Sequence, residues 1–274
     1  MQNKIVFIQT IKDLEYIQLN LVNKMEFEIF KEKLIKALKD NGDITLTEIQ
    51  QKQMFELAKR LVEVNEVMNL TAITDEDGII LRHITDSLLI SLYIEQNATI
   101  IDVGCGAGFP SLPLAIARPD LKITALDSTE KRIRYVSETA ELLGLSNVTA
   151  VAARAEEFAN LPQNREKFDY ATARAVASLP ILCELTIPFV RVGGKLVAMK
   201  AKGAREEFEM SRSAIRQLAS ANTLENTILH EVALVGCVNG EEINENRTII
   251  VVNKLSSTPK RFPRKYAQIK KTPL

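Results

Sequence analysis

The sequence predicts an α/β protein: a mostly parallel, doubly wound sheet of seven strands with an antiparallel edge hairpin, preceded by an N-terminal helical cap. Three observations carry this. Apolar residues keep helical spacing up to about residue 95 and then switch to short β-branched runs. Those runs alternate with helix-length segments, as parallel strands joined by crossover helices do. The last two runs flank Asn239-Gly240-Glu241-Glu242, a hairpin-like connection.

Each element has its own signal. Phe27, Phe30, Leu34, Ala37 and Leu38 mark a first helix that Asn41-Gly42 stops. Thr47-Glu48-Ile49-Gln50 is a capping-box pattern and starts a second, with Met54, Leu57, Leu61, Val64 and Met68 on its apolar face. A third spans roughly 78–92, with Ile80, Ile84 and Leu88 inward and Arg82 and Asp86 four apart on one face. Strands follow at 99–103, 122–127, 147–151, 168–172 and 195–199, with helices at about 110–117, 130–143, 179–190 and 203–220. Two late strands, near 226–236 and 247–253, add the antiparallel edge.

Composition removes several classes of function. Of 274 residues 46% are hydrophobic and 26% charged, a globular balance. No apolar run reaches the roughly 18 residues of a membrane helix, and no basic-then-apolar leader opens the chain. Cys105, Cys183 and Cys237 are far apart with no C-x-x-C, which speaks against a disulfide framework or a metal site and for a reducing, cytoplasmic setting. The 35 bases balance the 35 acids, yet seven bases and no acid lie between Lys254 and Leu274. The first 253 residues therefore carry a net charge of −7. A basic end on an acidic body reads either as a local phosphate contact or as a solvated tail.

The informative segment is Asp102-Val-Gly104-Cys-Gly106-Ala-Gly108-Phe109-Pro110, between a strand and a helix. Backbone without side chains admits a ligand closely at the carboxyl end of the first strand. The spacing is G-x-G-x-G, not the G-x-G-x-x-G of dinucleotide enzymes, which disfavours a nicotinamide oxidoreductase. With Asp102 before it, the loop looks like that of S-adenosylmethionine-dependent methyltransferases. Asp127 ends the second strand, where a carboxylate accepts the hydroxyls of a ribose; this serves either cofactor, since both contain adenosine. After the third strand, Ala155 and Glu156 are placed to meet an adenine, although acids also favour a helix's first turn.

The chain resembles the bacterial small-subunit ribosomal RNA guanine-N7 methyltransferases, also called glucose-inhibited division protein B. The resemblance rests on Met68-Asn-Leu-Thr-Ala-Ile73, Arg82-His-Ile-Thr-Asp-Ser-Leu88, the Asp102–Pro110 loop, Arg154-Ala-Glu156, Phe168-Asp169 through Arg174-Ala-Val176, Gly193-Gly194 to Lys200, and Arg261-Phe-Pro-Arg-Lys265 before Pro273-Leu274. These run collinearly over roughly residues 25–274. Ser111 stands where the family more often has glycine, and Val64 where it often has tryptophan. Residues 1–24 have no counterpart in the pattern and are read as an extension.

What the resemblance implies is a Rossmann-like class I methyltransferase fold over 96–254, a helical cap over 25–95 and a basic tail over 255–274. It implies methylation of N7 of one guanine, conventionally numbered 527, in the 530 loop of 16S rRNA, as free RNA, the small ribosomal subunit or an assembly intermediate. The cofactor is S-adenosylmethionine, with contacts from Gly104, Gly106, Gly108, Phe109, Asp127, Ser128, Thr129, Ala155, Glu156 and Arg174. A soluble monomer without membrane association is expected. The alternatives are methylation of another RNA or a small molecule, or a non-catalytic RNA-binding factor of the same fold.

Guanine N7 has a free lone pair and no proton to remove, so transfer needs alignment and no general base. Arg82, His83, Asp86, Arg174 and Lys200 are candidates for positioning, and Arg154, Lys200, Arg261, Arg264 and Lys265 for RNA contacts. Asp86 has two readings: stabilising the cationic product, or pairing with Arg82 to fasten the cap to the sheet.

Overall fold

The computed structural model describes residues 26–219 and 226–274. The chain opens with α1 (26–40) and α2 (Glu48–Met68). The capping box of α2 forms as read: Thr47 Oγ1 accepts from Gln50 N, and the Gln50 side chain accepts from Thr47 N at 2.8 Å. Leu57 and Leu61 are fully buried on its inner face, each worth about 1.5–3 kcal/mol.

A helical run then replaces the regular third helix. It passes from α3 (Glu76–Gly78) through a π-helical segment (Ile79–Thr85) and α4 (Asp86–Leu88) into a 3-10 stretch (Leu89–Tyr93). Nearly the whole circumference is buried, including His83, Thr85, Asp86 and Ser87. An i, i+4 apolar spacing fits an α or a π winding equally, so the spacing alone did not separate them.

The alternating part is β1 (Thr99–Val103), α5 (Ser111–Ala117), β2 (Lys122–Asp127), α6 (Glu130–Leu142), β3 (Val148–Ala152), α7 (Ala155–Phe158), β4 (Phe168–Arg174), α8 (Leu179–Thr186), β5 (Val190–Lys200) and α9 (Ala204–Ala219). The hairpin β6 (Thr227–Val238) and β7 (Glu241–Asn253) follows, and α10 (Tyr266–Lys271) ends the chain. Sheet order is β3-β2-β1-β4-β5-β7-β6. The first five strands are parallel; β7 runs antiparallel to β5, and β6 to β7. The sheet is thus the seven-stranded, class I methyltransferase arrangement that the alternation and the resemblance led us to expect. The hairpin strands are longer than their apolar runs, because the turn is only Asn239-Gly240, both at positive φ (52° and 83°).

Two apolar layers cover the sheet. One joins α1, α2, the π-containing run, α5 and α6 to β1, β2, β6 and β7. The other joins α8, α9 and the C-terminal segment to β1, β4 and β5. Asn41, the residue that stops α1, is buried and grips the edge strand: Nδ2 donates to Val235 O at 2.7 Å and Oδ1 accepts from Val235 N at 2.8 Å. Among the described residues, no helix is long and apolar enough to cross a membrane.

The basic tail is folded rather than trailing. Phe262 and Ile269 are buried under α8 and α9. Lys254 is 1% exposed; its Nζ donates to Glu166 at 2.7 Å and to the carbonyls of Val190 and Ile187. Burial drives the Lys254 pKa down to about 8 against the pull of Glu166. Arg264 binds the fully buried Glu184 through Nε and Nη2, at 2.8 and 2.6 Å. The reading of Arg264 as an RNA contact is therefore corrected: its charge neutralises an acid in the core. A solvated tail is corrected by the same contacts.

Candidate active site

The glycine loop leaves β1 at the carboxyl edge of the sheet. Gly104 has φ +76°, and a Cβ there would lie 2.6 Å from Val176 Cγ2, so no other residue fits without moving the β4–α8 loop. Asp127, at the end of β2, ties this loop to the next turn: Oδ2 accepts from Gly106 N at 3.1 Å and Oδ1 from Thr129 N at 2.8 Å. Arg132 Nη1 stands 3.6 Å from the same carboxylate. A carboxylate offers about four acceptor positions, so two remain for a ligand.

Between these turns lies a cavity of about 260 Å³. Its lining holds six of the expected cofactor contacts: Gly104, Asp127, Ser128, Thr129, Ala155 and Glu156. Arg154, read as an RNA contact, lines it too. The sequence reading missed Arg132, Leu185 and Tyr266. Arg132 follows Asp127 by five residues at the start of α6, a spacing that places it over the carboxylate. Leu185 and Tyr266 come from α8 and α10, whose approach no local pattern announces.

The other expected contacts take supporting places. Gly108 packs its open face toward Leu112. Phe109 is buried and stacks on His83, centroids 4.7 Å apart. Arg174 precedes the lining residue Ala175, which holds a positive φ of 56°. Its Nη1 donates to Arg82 O at 2.8 Å and to Asp86 Oδ2 at 3.2 Å, and its guanidinium lies 5.6 Å from the Phe109 ring centre.

This cluster corrects the expected Arg82–Asp86 pair. Arg82 instead binds Glu245 on β7, Nη2 to Oε1 at 2.7 Å. Asp86 binds Arg174 of β4 and Arg247 of β7, the latter at 2.9 Å. The cap is fastened to the sheet by Asp86, but across the sheet and not along the helix. The Arg82 carbonyl that receives Arg174 lies within the π-helical segment, where Asp86 N bonds to His83 O and Leu81 O. Lys200 is also held internally, by Glu207 at 2.8 Å and Ala177 O at 2.6 Å. Arg261 and Lys265 are exposed.

His83 cannot act as a base here. Arg174 Nη2 donates to Nδ1 at 3.2 Å, so Nε2 carries the hydrogen and donates to Thr71 Oγ1 at 2.8 Å. Burial, with the Arg174 charge, holds its pKa down at about 3. Beneath the loop, Asp102 is fully buried; Ser111 donates its backbone N–H at 3.2 Å and its hydroxyl to Oδ2, while Oδ1 has no partner. Burial pushes the Asp102 pKa up to about 6 despite those two donors.

Comparison with known proteins places the chain in a family. The family model described as rRNA small subunit methyltransferase G matches residues 50–233. The chain is 43% identical over 247 residues to the ribosomal RNA small subunit methyltransferase G of Leuconostoc citreum, covering 89% of this chain and 98% of that one. It is 43% identical over 244 residues to the protein of the same name from Staphylococcus carnosus, covering 88% and 97%. A crystal structure of an O-methyltransferase from Bacillus cereus in complex with SAH is 17% identical, covers 72% of this chain and 91% of that one, and has a TM-score of 0.47, a likeness too distant to carry any reading of chemistry. The chain belongs to the rRNA small subunit methyltransferase G family.

Proposed function

We propose that this member of the family transfers a methyl group from S-adenosylmethionine to N7 of guanine 527 in 16S rRNA, with the cofactor in the cavity between Gly104, Asp127 and Glu156. The residues present suit that cofactor. Asp127 keeps two acceptor positions for ribose hydroxyls, Glu156 offers an acceptor for an exocyclic amine, and Gly104 lets the ligand reach the backbone. When bound, S-adenosylmethionine supplies an electrophilic methyl on a positively charged sulfur.

The observation that carries the choice of atom is the state of His83. Beside Arg174 at the end of β4, the His83 imidazole is neutral, buried and committed at both nitrogens. Asp86 is committed to two arginines. A hydroxyl or amine nucleophile needs a group to take its proton; N7 of guanine needs none. What the chain supplies is alignment. Arg174, fixed from Asp86, Arg82 O and His83, presents a rigid donor beside the loop, suited to a purine's O6 acceptor while the N7 lone pair stays free for the methyl. N7 lies in the deep, narrow groove of A-form RNA, so the target guanine must be unpaired or extruded.

The test is incubation of the purified protein with 16S rRNA or small subunits lacking the modification, followed by mass-spectrometric mapping. One 7-methylguanine at position 527 is expected. Methylation at another atom or nucleotide would refute the assignment.

A further inference from the structure

The cavity runs along the carboxyl ends of the strands from Val176 beside β4 to Arg154 and Glu156 beyond β3. On the reading above, Asp127 at the end of β2 fixes the ribose. The reactive end then points toward β4, where Arg174 and His83 cluster. The base must therefore extend the other way, toward the β3–α7 turn. The side chain that closes the cavity there and comes from outside the alternating fold is Tyr266 on α10, partly buried. The Arg154 guanidinium lies 6.0 Å from its ring centre.

Tyr266 is held there by the tail's own anchors. Arg264, two residues earlier, is locked to Glu184. Glu184 is followed on α8 by Leu185, which lines the same cavity. Arg165 adds a clamp, with Nη1 donating to Phe262 O and Nη2 to Thr258 O, both at 2.8 Å. Buried Ile269, three residues on and on the same face of α10, packs into the same apolar layer as Tyr266. An aromatic ring so fixed beside the place of a purine is a stacking surface.

We propose that Tyr266 is a cofactor-binding residue: the C-terminal segment folds back as a wall of the pocket, and the Tyr266 ring, backed by Arg154, covers the adenine of S-adenosylmethionine. This rests on the assignment of the cavity to that cofactor. The segment that the sequence presents as a basic RNA-binding tail thus completes the nucleoside site.

Calorimetric titration of the ligand-free, full-length protein with S-adenosylhomocysteine tests it. Tyr266→Ala is expected to raise Kd about tenfold, and Tyr266→Phe to stay within about twofold of wild type, since the face and not the hydroxyl makes the contact. 5′-Methylthioadenosine, which keeps the adenine and lacks the amino-acid end, should lose the same factor. An unchanged Kd in Tyr266→Ala would overturn the proposal. So would an equal loss in Tyr266→Phe, or a loss that spares methylthioadenosine. Should Tyr266→Ala melt lower without ligand, Tyr266→Leu, which keeps apolar bulk but no ring face, carries the same comparison. Failure of the wild-type protein to bind S-adenosylhomocysteine would refute the cavity assignment instead.

Discussion

Replacing Arg264 with methionine separates a structural tail from an RNA-binding one. Glu184 is 0% exposed and takes four hydrogen bonds from Arg264: three from the guanidinium and one from the backbone N–H at 2.8 Å. Removing the cation strands a buried carboxylate, a change that costs about 3–5 kcal/mol. The Arg264 side chain is 16% exposed and its backbone donor survives, so the lower end applies, about 3 kcal/mol. At roughly 2–4 °C per kcal/mol for a domain of this size, Tm should fall by about 6–12 °C. Thermal unfolding followed by circular dichroism, with neither RNA nor cofactor present, reads this directly. Arg261→Met and Lys265→Met, at exposed positions, should stay within about 0.5 kcal/mol of wild type. The double variant Glu184→Met with Arg264→Met should recover most of the loss, because no charge remains buried. An Arg264→Met protein as stable as Lys265→Met would refute the reasoning.

Three further outcomes follow from the same contacts. The His83 pKa, about 3 when folded, lies below its ordinary 6.5, so the fold favours the neutral ring; that contribution is whole above pH 6.5 and is lost as pH falls toward 3. The His83 ring resonances should therefore not shift between pH 5.5 and 8.5, and His83→Gln should flatten the acid side of the stability profile; a midpoint near 6.5 would contradict the locked tautomer. The Asp102 pKa, about 6 against an ordinary 3.8, makes its ionised form unfavourable in the fold, so stability declines as pH rises through that window. Ser111→Ala removes one of two donors to that carboxylate and should cost about 1–2 kcal/mol at pH 8 and less at pH 4.5, measured by urea unfolding at both. Asn41→Ala leaves both polar groups of Val235 without their partner and should cost about 1–3 kcal/mol, with faster amide exchange at Val235; unchanged exchange there would show that Asn41 does not hold the strand.

The sheet was legible because its strands are local: each β-branched run ends where glycine or a turn ends it, and crossover helices leave few topologies. Six of the fifteen residues that line the cavity were legible for the same reason. Gly104 follows β1, Asp127 ends β2 and Glu156 lies in the first turn of α7 after β3, so all three gather at the carboxyl ends of neighbouring strands. What escaped has long sequence separation. The partners of Asp86 lie 88 and 161 residues away, on β4 and β7, and a helical spacing of four offered Arg82 as the nearer cation. The π winding left no trace in an apolar pattern that serves two helix types. The tail had one readable signal. Glu184 is the only charged residue in Leu179–Thr186, an otherwise apolar helix, and an acid in such surroundings requires a cation from elsewhere.

That acid changes the meaning of the charge asymmetry. Two of the seven bases after residue 253, Lys254 and Arg264, neutralise Glu166 and Glu184 inside the fold. Five remain exposed: Lys260, Arg261, Lys265, Lys270 and Lys271. They flank Tyr266 on both sides, so the segment that carries surface charge also closes the cavity. Truncation near residue 255 would therefore strip exposed surface charge, a wall of the cavity and a core ion pair at once. It would weaken RNA binding whether or not any of the five cations touches a phosphate. Single substitutions divide these roles. Charge removal at Lys270 and Lys271 should lower the salt dependence of RNA binding while leaving S-adenosylhomocysteine affinity and Tm unchanged, as counterion release requires. A loss of RNA affinity that is the same at every salt concentration would mean that these lysines act through the fold of α10 and not through their charge.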